Sequence, residues 1–415
     1  MAGTRIHPLS VALLAPLLLV TGCTWFDWLP WIGGDEDDED KADEPTPLVE
    51  FPAEAQIERV WRADIGDGLG RKYLRLNPAV VADRVYAADA YGVVEARNRF
   101  DGRRLWRVRV DEPDGRAFYK FWDRRDPAFL TGGVGVGDGR VLVGTTRGEV
   151  IALDAADGRV LWRSEVSSEV LARPVADDDI VVVQTGDGRI TLLEGDDGAL
   201  RWSFDTQVPV LTLRGTAAPV LRDGLVYAGF ATGKIVAIRA EDGQPVWEQR
   251  VMLPEGRSEL DRMVDVDSTP LVGRSFIFAV SYQGRIRAFR RSDGAPIWEQ
   301  DASSFVDLAE GYGQVYVVSD DDVVRAIDQG DAVVVWEQEA LRNRRLTSPL
   351  AFGNYVLVGD DEGYLHVIAQ SDGRFVARRR LDGSGLRSGM IEADGTVYVL
   401  SNGGRLEAVE IRRRG

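Results

Sequence analysis

The chain has 415 residues, 44% of them hydrophobic and 28% charged, with a formal net charge of −17. An acidic balance of that size argues against DNA or RNA as a partner, because binding either requires a basic patch that displaces counterions. One cysteine and two histidines exclude an internal disulfide, a cysteine-based metal site and a zinc site built from paired histidines.

The first segment reads as a cleavable signal. Arg5 supplies a small positive region, and the apolar run Leu9 to Val20 is about a dozen residues, short of the roughly 20 that span a bilayer. Val20-Thr21-Gly22-Cys23 places small residues directly before the single cysteine. That arrangement resembles the lipobox of bacterial lipoproteins, in which the thiol takes a diacylglycerol and the new N-terminus a further acyl chain. The expectation is a signal peptide over 1–22 and a mature chain lipidated at Cys23, with the membrane as a partner through the anchor. Several acyl chains hold far more firmly than a single myristoyl group. Thr24 stands where Asp favours inner-membrane retention, so the expected destination is the outer membrane, on its periplasmic side. Residues 23–52 read as a tether. Trp25, Phe26, Trp28 and Trp31 suit a membrane interface. Asp35 to Asp40 is an unbroken acidic run followed by Pro45 and Pro47, which repels itself and forms no core.

Residues 53–415 repeat one pattern. Its clearest instance, Arg140 to Trp162, carries two apolar strands around a turn at Gly148. A second turn at Asp157-Gly158 then leads to a strand holding Trp162. Val150 to Leu153 is apolar on both faces, as a strand sandwiched between neighbouring sheets should be. The first turn recurs at Gly92, Gly188, Gly233, Gly284, Gly363 and Gly404, with Asp322 standing in once. The second recurs at Gly102, Gly198, Gly243, Gly294 and Gly373, and is read as inverted to Gly330-Asp331 in the sixth repeat. Trp106, Trp162, Trp202, Trp247, Trp298 and Trp336 follow these turns, and Ala377 takes the position in the seventh. Each Trp is expected to pack between adjacent sheets, burying 150–250 Å². Four-stranded repeats of this length indicate an all-β, eight-bladed β-propeller. The eighth repeat has its Gly404 turn and no Asp-Gly-Trp strand, whereas Glu58 to Arg62 has the character of an outer strand with Trp61. The N-terminal strand is therefore expected to complete the last blade and close the ring, removing open edges.

Signals of chemistry are weak. His366 lies in an apolar strand, and no GxSxG elbow accompanies it. Gly132 to Gly137 is glycine-rich but opens a β repeat, with no helix to receive a phosphate. Asp177–Asp179 and Asp320–Asp322 lack the spacing of a calcium loop and read as solvated turns. No metal, cofactor or catalytic residue is expected.

The DGxxxW cadence resembles the tryptophan-docking repeat of quinoprotein dehydrogenases, which implies the scaffold. The adjacent cysteines and calcium ligands of enzymes that use pyrroloquinoline quinone are missing, and a shared fold does not carry an activity with it. That dehydrogenase and a generic ligand-binding periplasmic propeller are the alternatives. Pro209 to Val220 (PVLTLRGTAAPV), Asp261 to Pro270 (DRMVDVDSTP), Arg345 to Leu350 (RLTSPL) and Gly359 to Leu365 (GDDEGYL) are more specific. With the lipobox and the eight repeats, they resemble the BamB family of the machinery that inserts β-barrel proteins into the outer membrane. The acidic tether and the basic tail Arg412–Arg414 depart from that family.

The resemblance implies a non-enzymatic scaffold that binds the POTRA domains of BamA, with unfolded outer-membrane proteins as further partners. Carried over by motif, the partner-binding residues are Leu211, Leu213, Arg214, Asp265 and Asp267. Spacing by two puts the leucines on one face of an extended segment, and nearby carboxylates suit the arginine. The residues alone also allow inter-blade core for the leucines and turn caps for the aspartates. The insertion Asp111 to Thr131, with Phe118, Tyr119, Phe121, Trp122 and several basic residues, either meets a partner or folds over its own blade.

Overall fold

Apolar residues on both faces of the third strand in each repeat can be buried only if every sheet is covered on two sides. A ring of radially arranged sheets achieves this. The computed structural model describes residues 44–70, 74–110, 129–213 and 217–414. Among them are eight four-stranded antiparallel sheets and no helix. Blade 1 runs from the inner strand Ala79–Val81 through Arg84–Ala88 and Val93–Asn98 to the outer strand Arg104–Arg109. Blades 2 to 7 begin at Leu130, Val175, Val220, Leu271, Ala309 and Leu350 and repeat that order. Val150, Ile151, Ala152 and Leu153 are all fully buried.

Blade 8 is assembled from both ends of the described chain. Ile391–Ala393, Thr396–Leu400 and Arg405–Arg413 are its inner three strands, and Ala55–Asp64 is its outer one. The pairing runs from Ala55 opposite Arg413 to Asp64 opposite Arg405, with a bulge before Trp61. Trp61 thus faces Ala408, as Trp106 faces Ala96 and Trp162 faces Ala152. The ring is closed by the N-terminal strand.

Tryptophans weld each blade to the next, except at the junction between blades 7 and 8. The Trp61 indole donates to the Arg99 carbonyl at 2.7 Å, Trp162 to Gly195 at 2.7 Å and Trp336 to Gln370 at 2.8 Å. Trp106, Trp202 and Trp298 make the same bond. Trp247 does not, and its indole nitrogen is buried with no partner among the described residues. The ring lies against the glycine of the following Asp-Gly turn: a Cβ on Gly198 would stand 2.6 Å from Trp162. Blade 6 differs from the expected inversion. Its left-handed residue is Ala332 (φ 65°), preceded by Asp331, so the turn keeps the Asp-first order and Gly330 only precedes it.

Ala377 has a topological cause. The turn that a Trp of blade 7 would dock on is missing from blade 8, because that blade's third and outer strands come from opposite ends of the chain. The seam is filled by Ile57, Val376, Val409 and Ile411, with Arg379 donating to the Ile57 carbonyl at 2.8 Å. A cleft of about 700 Å³ opens beside it. The glycine run of blade 2 is likewise explained by closeness. A Cβ at Gly135 would lie 2.0 Å from the carbonyl oxygen of Pro174, just before the next inner strand.

Segment 45–54 belongs to the compact unit, which begins at Pro45, ahead of the expected propeller start at residue 53. Glu54 N–H donates to Val376, Phe51 stacks on Phe375 at 5.3 Å, and Arg344 donates to the Thr46 carbonyl at 2.9 Å. The expected signal peptide, Cys23 and the acidic run lie outside the described residues, as does most of the insertion at 111–131. No helix among the described residues is long and apolar enough to cross a membrane.

Candidate interaction site on the funnel face

Antiparallel order places the turns between second and third strands on the same face of the ring as the links from one blade to the next. Leu211, Leu213, Asp265 and Asp267 all sit on such links, between blades 3 and 4 and between blades 4 and 5. This face surrounds the axial opening, a cavity of about 710 Å³ walled by Leu74, Leu171, Leu213, Tyr282, Phe305 and Leu346, with Arg75 and Asp267 among its polar groups.

The leucines are not inter-blade core. Leu211 is 44% and Leu213 37% exposed, beside exposed Val208 and Val210. The aspartates are inside: Asp265 is 0% and Asp267 6% exposed. Asp265 accepts the Leu213 backbone N–H at 2.5 Å, and its other carboxylate oxygen is buried with no partner among the described residues. It therefore presents the leucine rather than a surface charge of its own. Burial pushes the Asp265 carboxyl up to about 6, against the Leu213 N–H. Burial, with Asp265 adding to it, pushes Asp267 up to about 7 while the Arg75 cation pulls the other way. Arg214 lies outside the described residues.

The four distinctive segments pair off. The first two join through Leu213 and Asp265, and again where Ala218 N–H donates to Thr269 Oγ1 at 3.1 Å. The last two meet around a buried ion pair: Arg344, next to RLTSPL, donates to Asp360 of GDDEGYL at 2.8 Å. His366 Nε2 shares that carboxylate at 3.0 Å, and Arg378 donates to His366 Nδ1 at 3.0 Å. His366 is thus a fully buried structural residue, kept toward its neutral form by burial although Asp360 favours the charge. Asp322 corrects the solvated-turn reading of its cluster. It is buried and accepts the N–H groups of Arg345 and Leu346 at 2.7 and 2.8 Å. The involvement of Arg344 and Arg378 escaped sequence reading, since nothing local to an arginine marks its distant carboxylate or imidazole. Among the described residues no His, Cys, Asp and Glu group is arranged to hold a metal ion.

The family model described as outer membrane protein assembly factor BamB matches residues 92–338 and 320–414. The chain belongs to the BamB family. It is 42% identical to the BamB of Pseudomonas aeruginosa over 97% of this chain and 98% of that one. It is 36% identical to the BamB of Escherichia coli, over 95% and 97%. BamB from Moraxella catarrhalis superposes with a TM-score of 0.75 at 29% identity, covering 85% of this chain and 99% of that one. A quinohemoprotein alcohol dehydrogenase from Comamonas testosteroni has a TM-score of 0.67 at 15% identity, covering 85% and 76%. That second likeness is one of fold alone. The BamB family thus shares its ring with redox enzymes.

Proposed function

We propose that the chain is a non-catalytic accessory lipoprotein of outer-membrane β-barrel protein assembly that docks on the POTRA domains of BamA. The observation that carries this reading is the exposed leucine pair held out on the funnel face by a buried aspartate. Aliphatic anchors of this kind, beside an arginine, have the make-up of an interface hot spot. Leu211, Leu213 and Arg214 form the contact, while Asp265 and Asp267 support it from beneath. A lipid on Cys23 holds the propeller at the periplasmic side of the outer membrane and raises its effective concentration near the assembly machinery. Membership of a family named for outer-membrane protein assembly supports the role.

The test is co-purification of BamA POTRA domains with the lipidated chain. Leu213→Ala or Arg214→Ala is expected to reduce recovery at least tenfold, as loss of a hot-spot residue worth about 2 kcal/mol would. Wild-type recovery with both variants removes the assignment. Metabolic labelling with palmitate, abolished by Cys23→Ser, checks the anchor.

A further inference from the structure

The cleft beside the seam of blades 7 and 8 lies on the face away from the funnel, where the Asp-Gly turns gather. At the other junctions a Trp and the turn it docks on fill this position. Here the strand Arg405–Arg413 sends Val409 and Ile411 into the seam, and Arg413 continues that row just past its apolar part. Arg374, Arg413 and Arg414 all line the cleft. Arg374 is taken up by Glu54 at 2.8 and 2.9 Å and by Asp372 at 2.6 Å. The Arg413 and Arg414 side chains have no ion pair or hydrogen bond among the described residues. Tyr312 lines the cleft from blade 6 and is 68% exposed. It sits in the left-handed region at φ 55°, in a turn where blades 2, 3, 4 and 8 carry Asp138, Asp178, Asp223 and Asp394. Asp suits that conformation and a bulky ring does not, so neither the turn nor the packing accounts for a tyrosine. Its hydroxyl donates to Asn354 Oδ1 at 2.8 Å, which steadies the ring. The Asn354 amide N–H groups have no acceptor among the described residues.

We propose that this cleft is a binding site for a phosphorylated saccharide, with its phosphate on Arg413 and Arg414 and a face of its ring on Tyr312. Two adjacent guanidiniums match the double charge of a phosphate monoester and present the planar forks that its oxygens accept. A bare anion would leave the exposed tyrosine without a role. The C–H groups on one face of a sugar ring carry partial positive charge and meet the negative face of an aromatic ring. Sugar hydroxyls give the Asn354 amide the acceptors it lacks. The cleft, about 700 Å³, has a volume within the range of small-molecule sites. Between the tyrosines its apolar lining is limited to Ala53, Ala369 and Val376, too little to cover an acyl chain. The ligand is therefore a sugar phosphate rather than the whole of a phospholipid.

The probe is glucose 6-phosphate, titrated into the full processed chain at low salt and followed by ligand-observed NMR. Glucose supplies the ring without the charge. Inorganic phosphate and glycerol 3-phosphate supply the charge without the ring, the second standing in for a phospholipid headgroup. Glucose 6-phosphate is expected to bind at least tenfold more tightly than any of the three. Replacing both arginines, Arg413→Gln with Arg414→Gln, is expected to lower its affinity to that of glucose. Tyr312→Asn is expected to lower it to that of glycerol 3-phosphate, and asparagine tolerates the left-handed turn, so blade 6 keeps its fold. Binding of inorganic phosphate or glycerol 3-phosphate as tight as that of glucose 6-phosphate would mean an adventitious ion only and overturns the proposal. So does equal binding of glucose, no binding of glucose 6-phosphate, or wild-type affinity in either variant.

Discussion

Asp267 is a carboxyl that the fold holds near neutrality at the mouth of the ring. Its pKa is raised to about 7 from the unfolded 3.8, so the folded state binds its proton more tightly. The sign follows: the unfolded chain releases that proton first, and stability falls as pH rises from about 4 through about 7. Asp267→Asn cannot ionise. Its stability advantage over the wild type is expected to be near zero only below about pH 3 and to grow to roughly 2–4 kcal/mol above pH 8. Denaturant unfolding at several pH values checks this, and an advantage independent of pH would refute it. The tryptophans offer a second residue-level contrast. Trp162→Phe removes a made bond and strands the Gly195 carbonyl, whereas Trp247→Phe removes a donor that is already unpaired. The first is expected to be the more destabilising by about 1–3 kcal/mol, measured by thermal or denaturant unfolding. Sequence could not separate these two, since both follow the same Asp-Gly turn at the same spacing.

At the level of strands and turns, legibility depended on periodicity. The Asp-Gly turns and buried third strands were readable because each demands a particular residue type at a fixed interval. Blade 6 misled because Gly330 drew the turn toward itself, while the backbone put the left-handed conformation on Ala332. The proposed docking link was legible only by resemblance: spacing by two said nothing of whether Leu211 and Leu213 face solvent or core. What decides it is Asp265, fifty-two residues later, capping the Leu213 N–H. The buried Arg344–Asp360–His366–Arg378 chain was invisible for the same reason, as its members come from blade 7 and the link before it and meet only after folding.

The whole ring depends on one seam. Trp61 sits on the closing strand, packs on Tyr398 at 6.0 Å and bonds to blade 1. Trp61→Ala is expected to cost about 3–5 kcal/mol and to expose both strands of the seam to other chains. Light scattering during thermal unfolding should show aggregation setting in earlier than for Trp106→Ala, which leaves blade 8 paired. An equal onset would mean that closure is no more vulnerable than any other junction.

Segment 45–54 adds a mechanical consequence. A pull on the chain from before Pro45 reaches Arg344 at Thr46, Arg378 at Val49 and the Phe51–Phe375 stack before it reaches the closing strand. These holds act like the grip where a cable enters a housing. Tension applied there would be taken up by blade 7 and the link before it, and the ring would not be peeled open from its own end.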